Sequence, residues 1–160
     1  MSEVYLGNPN LKKANTEIEF TEDQVIEFLK CKEDPVYFAN NYIKIVSLDE
    51  GLTQFHPYDF QEKLIHNFHE NRFNICKMPR QTGKSTTVVS YLLHYAVFND
   101  SVNIGILANK AATARELLSR LQTAYENLPK WMQQGIISWN KGSMELENGS
   151  KILAASTSAS

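Results

Sequence analysis

The segment Met78-Pro79-Arg80-Gln81-Thr82-Gly83-Lys84-Ser85-Thr86 constrains this chain more than any other. It stands between a run of strand composition, residues 73–78, and an apolar helical stretch, residues 84–98. A Gly-Lys-Ser step at a strand-to-helix junction is the context in which a backbone wraps a polyphosphate. The first N–H groups of a helix have no intrahelical partner and the helix dipole adds positive potential, so anions collect there. Gly83 lets the backbone approach the phosphates, Lys84 suits the β- and γ-phosphates, the Ser85 hydroxyl suits Mg²⁺, and Thr86 suits a phosphate oxygen. The general pattern G-x-x-x-x-G-K-[ST] asks for a glycine where this chain has Met78.

The flanking pattern predicts an α/β fold. Thr21 and Gln24 have capping-box spacing ahead of Val25, Ile26, Phe28 and Leu29, which predicts a helix start. Asp34-Pro35 predicts a second start, with an N-cap followed by proline at the first helical position, running to about Asn41. Residues 59–70 carry Phe60, Leu64, Ile65 and Phe68 at helical spacing. Residues 102–108 (VNIGILA) have the continuous apolar character of a strand in a parallel sheet. A helix follows from about 110 to 128, with Ala114, Leu117, Leu118, Leu121, Tyr125 and Leu128 inward and Pro129 closing it.

Beyond Gly135 the pattern changes to short strands around Asn148-Gly149, a hairpin signal. A two-residue loop would set Leu146 against Lys151 and mix the faces. A three-residue loop puts Met144, Leu146, Ile152 and Ala154 on one face and Glu145 beside Lys151, which predicts Gly149 left-handed in a bulge. Residues 1–15 are polar and read as an irregular lead-in.

Composition narrows the function classes. Hydrophobic residues are 42% and charged residues 21% of the 160, ordinary for a folded soluble domain. A net charge of −2 and a pI near 6.1 lack the basic excess of a surface that grips nucleic-acid phosphates, so DNA contact by this segment alone is expected to be weak. Cys31 and Cys76 have no metal-ligand spacing and are too few for a disulfide framework. No apolar run approaches the roughly 20 residues of a membrane span, and no secretory signal is expected at the start.

Residues 79–86 resemble the divergent Walker A loop of large terminase subunits, the motors that pump DNA into the heads of tailed phages. That family replaces the first glycine and carries an arginine in the loop, which accommodates Met78 and Arg80. Tyr58-Asp59-Phe60-Gln61 resembles its adenine-contacting glutamine motif. Ile104-Gly105-Ile106-Leu107-Ala108 resembles the strand after the loop helix, and Trp139-Asn140-Lys141-Gly142-Ser143 with Asn148-Gly149-Ser150 and Ala154-Ala155-Ser156 resembles its hairpin region. The resemblance runs from about residue 20 to 160 and points to contractile-tailed phages.

The resemblance implies a P-loop NTPase of the additional-strand, catalytic-glutamate type, with a helical lead-in at 1–50 and the first part of the ATPase domain at 51–160. It implies ATP and Mg²⁺ as ligands, with Gln61, Arg80, Gln81, Thr82, Gly83, Lys84, Ser85 and Thr86 binding nucleotide, Ser85 holding Mg²⁺, and Arg80 and Lys84 catalytic. Arg80 matches the arginine proposed to act in cis on the γ-phosphate; an ion pair holding the loop is the structural alternative. Gln61 would read adenine with an amide that donates and accepts, or else lie solvated on its helix. Gln54 is a further candidate, offset by two residues from the family's second glutamine. The implied partners are double-stranded DNA, a portal ring, a small terminase subunit and further copies in a motor, with no membrane, in the host cytoplasm.

Ile43 to Glu50 imitates a Walker B strand, but Lys44, Ser47 and Gly51 favour a strand entering a surface turn. His56, His66, His69 and His94 have no ligand pattern, and Trp131 and Trp139 read as packing anchors. The family continues into a Walker B strand with its acidic pair, a coupling motif and a nuclease domain, none of which lies in these 160 residues. The expectation is therefore a fragment with an incomplete parallel sheet and no turnover of its own. A helicase-like P-loop ATPase is the alternative, since helicases also pair an upstream glutamine with a P-loop.

Overall fold

The computed structural model describes residues 3–158. Helices α1 (Glu22–Glu33) and α2 (Pro35–Tyr42) lead to a hairpin of β1 (Lys44–Ser47) and β2 (Gly51–Gln54). Helices α3 (Asp59–Glu70) and α4 (Lys84–Phe98), strand β3 (Asn103–Ala108) and helix α5 (Ala111–Glu126) follow. Strands β4 (Ile136–Trp139), β5 (Ser143–Leu146) and β6 (Lys151–Ser156) complete the order.

Local chemistry sets the helix starts. The Thr21 hydroxyl accepts from the Gln24 N–H and the Gln24 amide oxygen accepts from the Thr21 N–H, the reciprocal capping box expected of that spacing. Asp34 Oδ1 accepts from the N–H groups of Val36 and Tyr37 with Pro35 at the first position. Residues 43–50 form a strand and a surface turn, not a Walker B strand, because β1 turns back at once to pair antiparallel with β2.

The sheet is mixed, which corrects the expectation of a parallel one. Its order is β3-β6-β5-β4, and only β3 and β6 run parallel. The hairpin explains this, since β5 and β6 are joined too tightly to be anything but antiparallel. The Leu146 N–H donates to the Ser150 carbonyl, leaving residues 147–149 as the loop, and Gly149 has φ +83°. Glu145 faces Lys151 at 3.5 Å, and Met144, Leu146 and Ile152 are buried together, as the parity of the sequence predicts.

Strand β3 also differs from a doubly covered strand. Strand β3 packs against α5 with Ile104 and Ile106 buried, whereas Leu107 is exposed, so it is an edge strand covered on one face. The expected strand at 73–78 does not form: the segment is unpaired, with Phe73 and Ile75 exposed. Its composition suits a strand, but a strand persists only against a ladder partner. A cavity of about 730 Å³ is lined by Asn74, Cys76, α4 residues, Asn103 and Ile104, and so separates it from β3.

One core joins both ends of the chain. Phe38 packs edge-on against Phe98 at 5.3 Å, and Leu93, Ala96, Leu118, Leu121 and Tyr125 continue the cluster to β5 and β6. The polar lead-in is ordered by three anchors that its composition does not announce. Leu11 is buried, the Gln133 amide donates to the Asn10 carbonyl and accepts from the Lys12 N–H, and the Lys12 ammonium meets Glu147 at 3.2 Å. Burial alone would raise the Glu147 pKa, but the N–H groups of Gly135 and Asn15 and the Lys12 charge hold it below the usual carboxylate range.

Candidate functional site

The loop that precedes α4 is shaped by two residues with positive φ, Gln81 at +62° and Gly83 at +74°. Gly83 is the N-cap of α4 and no side chain caps the helix, so the N–H groups of its first turn are left to an incoming ligand. Lys84, Ser85 and Thr86 occupy the first three helical positions and are half-buried, while Arg80 and Gln81 are exposed on the loop. The Thr82 hydroxyl donates to the Pro79 carbonyl at 3.0 Å and closes the loop on itself.

This geometry encloses a cavity of about 440 Å³, lined by residues 79–86 and by Arg120 of α5. Three cationic side chains, Arg80, Lys84 and Arg120, line it and no acidic residue does. Ion pairs among the described residues join Lys12 to Glu147, Arg120 to Glu116 and Lys151 to Glu145, and none engages Arg80 or Lys84. A locally cationic, anion-shaped site therefore sits on a chain whose net charge is −2. Neutralising both lysine and arginine with an anionic ligand is what such an arrangement can do chemically.

The Gly83 carbonyl is the fixed point of the loop. It accepts from the Thr87 N–H at 3.0 Å, from the Thr87 hydroxyl at 2.8 Å and from the Gln61 amide at 3.4 Å. Thr87 is fully buried. Reading the sequence for ligand contacts stops at Thr86; the only signal for Thr87 is a hydroxyl one turn after the glycine, able to bond back to its carbonyl.

Gln61 is not a solvated residue. It is 3% exposed, and its amide oxygen accepts from the Tyr58 N–H at 2.9 Å while its nitrogen reaches Gly83. One side chain thus ties the start of α3 to the loop before α4. A Cβ built on Gly83 would crowd the Gln61 Nε2 and push it aside, so glycine suits the position for space as well as for φ. Gln54 is spent otherwise: its amide donates to the carbonyls of Ala39 and Ile43 and holds β2 to the end of α2.

The remaining sequence candidates are structural. His94 is buried with Nε2 at 2.7 Å from the Cys31 carbonyl, and burial lowers its pKa to about 4. His69 Nδ1 lies 3.4 Å from the Tyr91 hydroxyl on the flank of α4. Trp131 and Trp139 pack against Tyr42 and Tyr125. Among the described residues no group of three or more His, Cys, Asp or Glu is placed to hold a metal ion. No described helix is long and apolar enough to cross a membrane.

Residues 75–160 match a family model described as "Terminase large subunit, T4likevirus-type, N-terminal". The match takes in the loop, α4, the mixed sheet and α5, and begins after Gln61.

Proposed function

Because the chain belongs to the N-terminal family of T4-type large terminase subunits, we propose that it is the ATP-binding portion of a DNA-packaging motor. The observation that carries this reading is the uncapped start of α4, with Gly83 left-handed and Lys84 and Ser85 at its first two positions. The loop amides and Lys84 bind the polyphosphate, with Gln81, Thr82 and Thr86 completing the cradle. Ser85 takes Mg²⁺, which when bound neutralises phosphate charge. Arg80 makes no ion pair among the described residues and stands on the loop, where its guanidinium serves charge that develops on the γ-phosphate.

In this reading Gln61 braces Gly83, and the base-contacting role of its motif requires its amide to give up the bonds to Tyr58 and Gly83 when nucleotide arrives. The parent couples ATP hydrolysis to translocation of double-stranded DNA, with a portal ring, a small subunit and further copies of the motor as partners, in the host cytoplasm. Residues 1–50 form its helical lead-in and 51–160 the first part of a P-loop ATPase domain. DNA contact falls mainly outside these residues, since they have no basic excess.

Calorimetric titration of the 160-residue chain with ATP and Mg²⁺ tests the proposal. Saturable binding that Lys84→Ala weakens at least about tenfold supports it. Binding that is absent, or that ignores Lys84, refutes it.

A further inference from the structure

Among the described residues, Arg120 is the one outside the loop that lines the loop cavity. It comes from α5, beyond the reach of any loop motif, and lies on the flank that carries Leu117 three residues before it and buried Ala124 four after. The same side chain borders a second cavity, of about 350 Å³, between the β1–β2 hairpin and helices α4 and α5, where Thr86 is again a neighbour. Among the described residues its guanidinium is tied to Glu116, at 2.8 Å, one turn back on its own helix.

That tether is weak. Both side chains are more than half exposed, at 51% for Arg120 and 63% for Glu116, and an exposed pair of this spacing is screened by water and salt. A polyphosphate offers several charges and the paired oxygens that a planar guanidinium prefers, so it outcompetes a single solvated carboxylate. The third cation of the cavity is thus held in reserve on a neighbouring helix.

We propose that Arg120 is a phosphate-binding residue of this site, parked on Glu116 without ligand and transferred to the polyphosphate of a bound nucleoside triphosphate. This rests on the reading of the loop as a nucleotide site. It makes α5 responsive to the ligand, because Arg120 joins the nucleotide to a helix that covers β3 and β6 and packs on α4.

Titration of the full 160-residue chain with a fluorescent ATP analogue and Mg²⁺ tests this, using Arg120→Ala, Arg120→Lys, Glu116→Ala and Lys84→Ala, each first checked for an unchanged melting profile. Arg120→Ala is expected to weaken binding about tenfold, with Arg120→Lys recovering part of it. Glu116→Ala removes the competitor and is expected to tighten binding about twofold. If Arg120 acted only through its helical pair, both alanine variants would change affinity in the same direction, and that result overturns the proposal. Normal binding by Arg120→Ala alongside loss in Lys84→Ala also overturns it, leaving the loop reading intact. Absence of binding by the unaltered chain overturns both.

Discussion

Replacing Gly83 by alanine tests the coupling between the phosphate loop and α3. Two costs are visible in the structure. The residue has φ +74°, where an L side chain costs about 1–2 kcal/mol. Its new Cβ would crowd the Gln61 Nε2, which must move away. Gln61 is buried and held at both ends of its amide, so displacing it forfeits the Tyr58 and Gly83 hydrogen bonds at about 0.5–1.5 kcal/mol each. The expected destabilisation of Gly83→Ala is therefore about 2–5 kcal/mol.

Gln61→Ala alone loses the same hydrogen bonds but creates no clash. In the double variant the clash has nothing left to meet, so the combined loss should be smaller than the sum by about 1 kcal/mol or more. Urea denaturation of the four proteins, with a constant m-value as the control for two-state behaviour, measures this. Additive losses, or a Gly83→Ala variant as stable as the parent, would refute the argument that Gln61 and Gly83 occupy one packed unit.

Three further expectations follow from particular residues. His94 is held neutral by burial, with a folded pKa near 4 against an ordinary 6.5. The unfolded chain takes up that proton first as pH falls, so the contribution of His94 is complete above its ordinary pKa and is lost as pH falls toward 4, about 2 kcal/mol of it between about pH 7.5 and 5. His94→Gln, which keeps an N–H for the Cys31 carbonyl, should flatten that slope in denaturation curves, and an unchanged slope contradicts the assignment. Gly149→Ala should cost about 1–2 kcal/mol for its φ alone, and more because its Cβ would lie 2.8 Å from the Ser101 Oγ; a neutral melting temperature would argue against the three-residue loop. The 160-residue chain should bind ATP without steady hydrolysis, since among the described residues no acidic side chain lines the loop cavity to orient water. Turnover that Lys84→Ala abolishes would sink that expectation.

Much of this was legible because it is local. The caps at Thr21 and Asp34, the bounds of α3 and α4, and the hairpin loop at 147–149 depend on neighbours a few residues apart, which sequence displays directly. The turn at Gly83 that opens α4 was legible for the same reason. What was hidden depends on partners distant in sequence. Residues 73–78 have strand composition, yet no ladder forms beside them, and no local property reveals that. The lead-in looked irregular because its order comes from Gln133 and Glu147, more than 100 residues away. Arg120 and Thr87 enter the site through helix packing and a back-bonded hydroxyl, and Gln61 is engaged at both ends because α3 meets the loop in space. The family match covers 75–160, so the glutamine motif at 58–61 rests on its own residues.

The central claim is that a polyphosphate binds at the start of α4. Amide NMR of the isotope-labelled 160-residue chain, titrated with ATP and Mg²⁺, examines it most directly. The largest shifts should fall on the amides of Arg80, Gln81, Thr82, Gly83, Lys84, Ser85 and Thr86, which line the cavity, and Lys84→Ala should diminish them. Saturating shifts centred elsewhere, or none at this loop, would contradict the account.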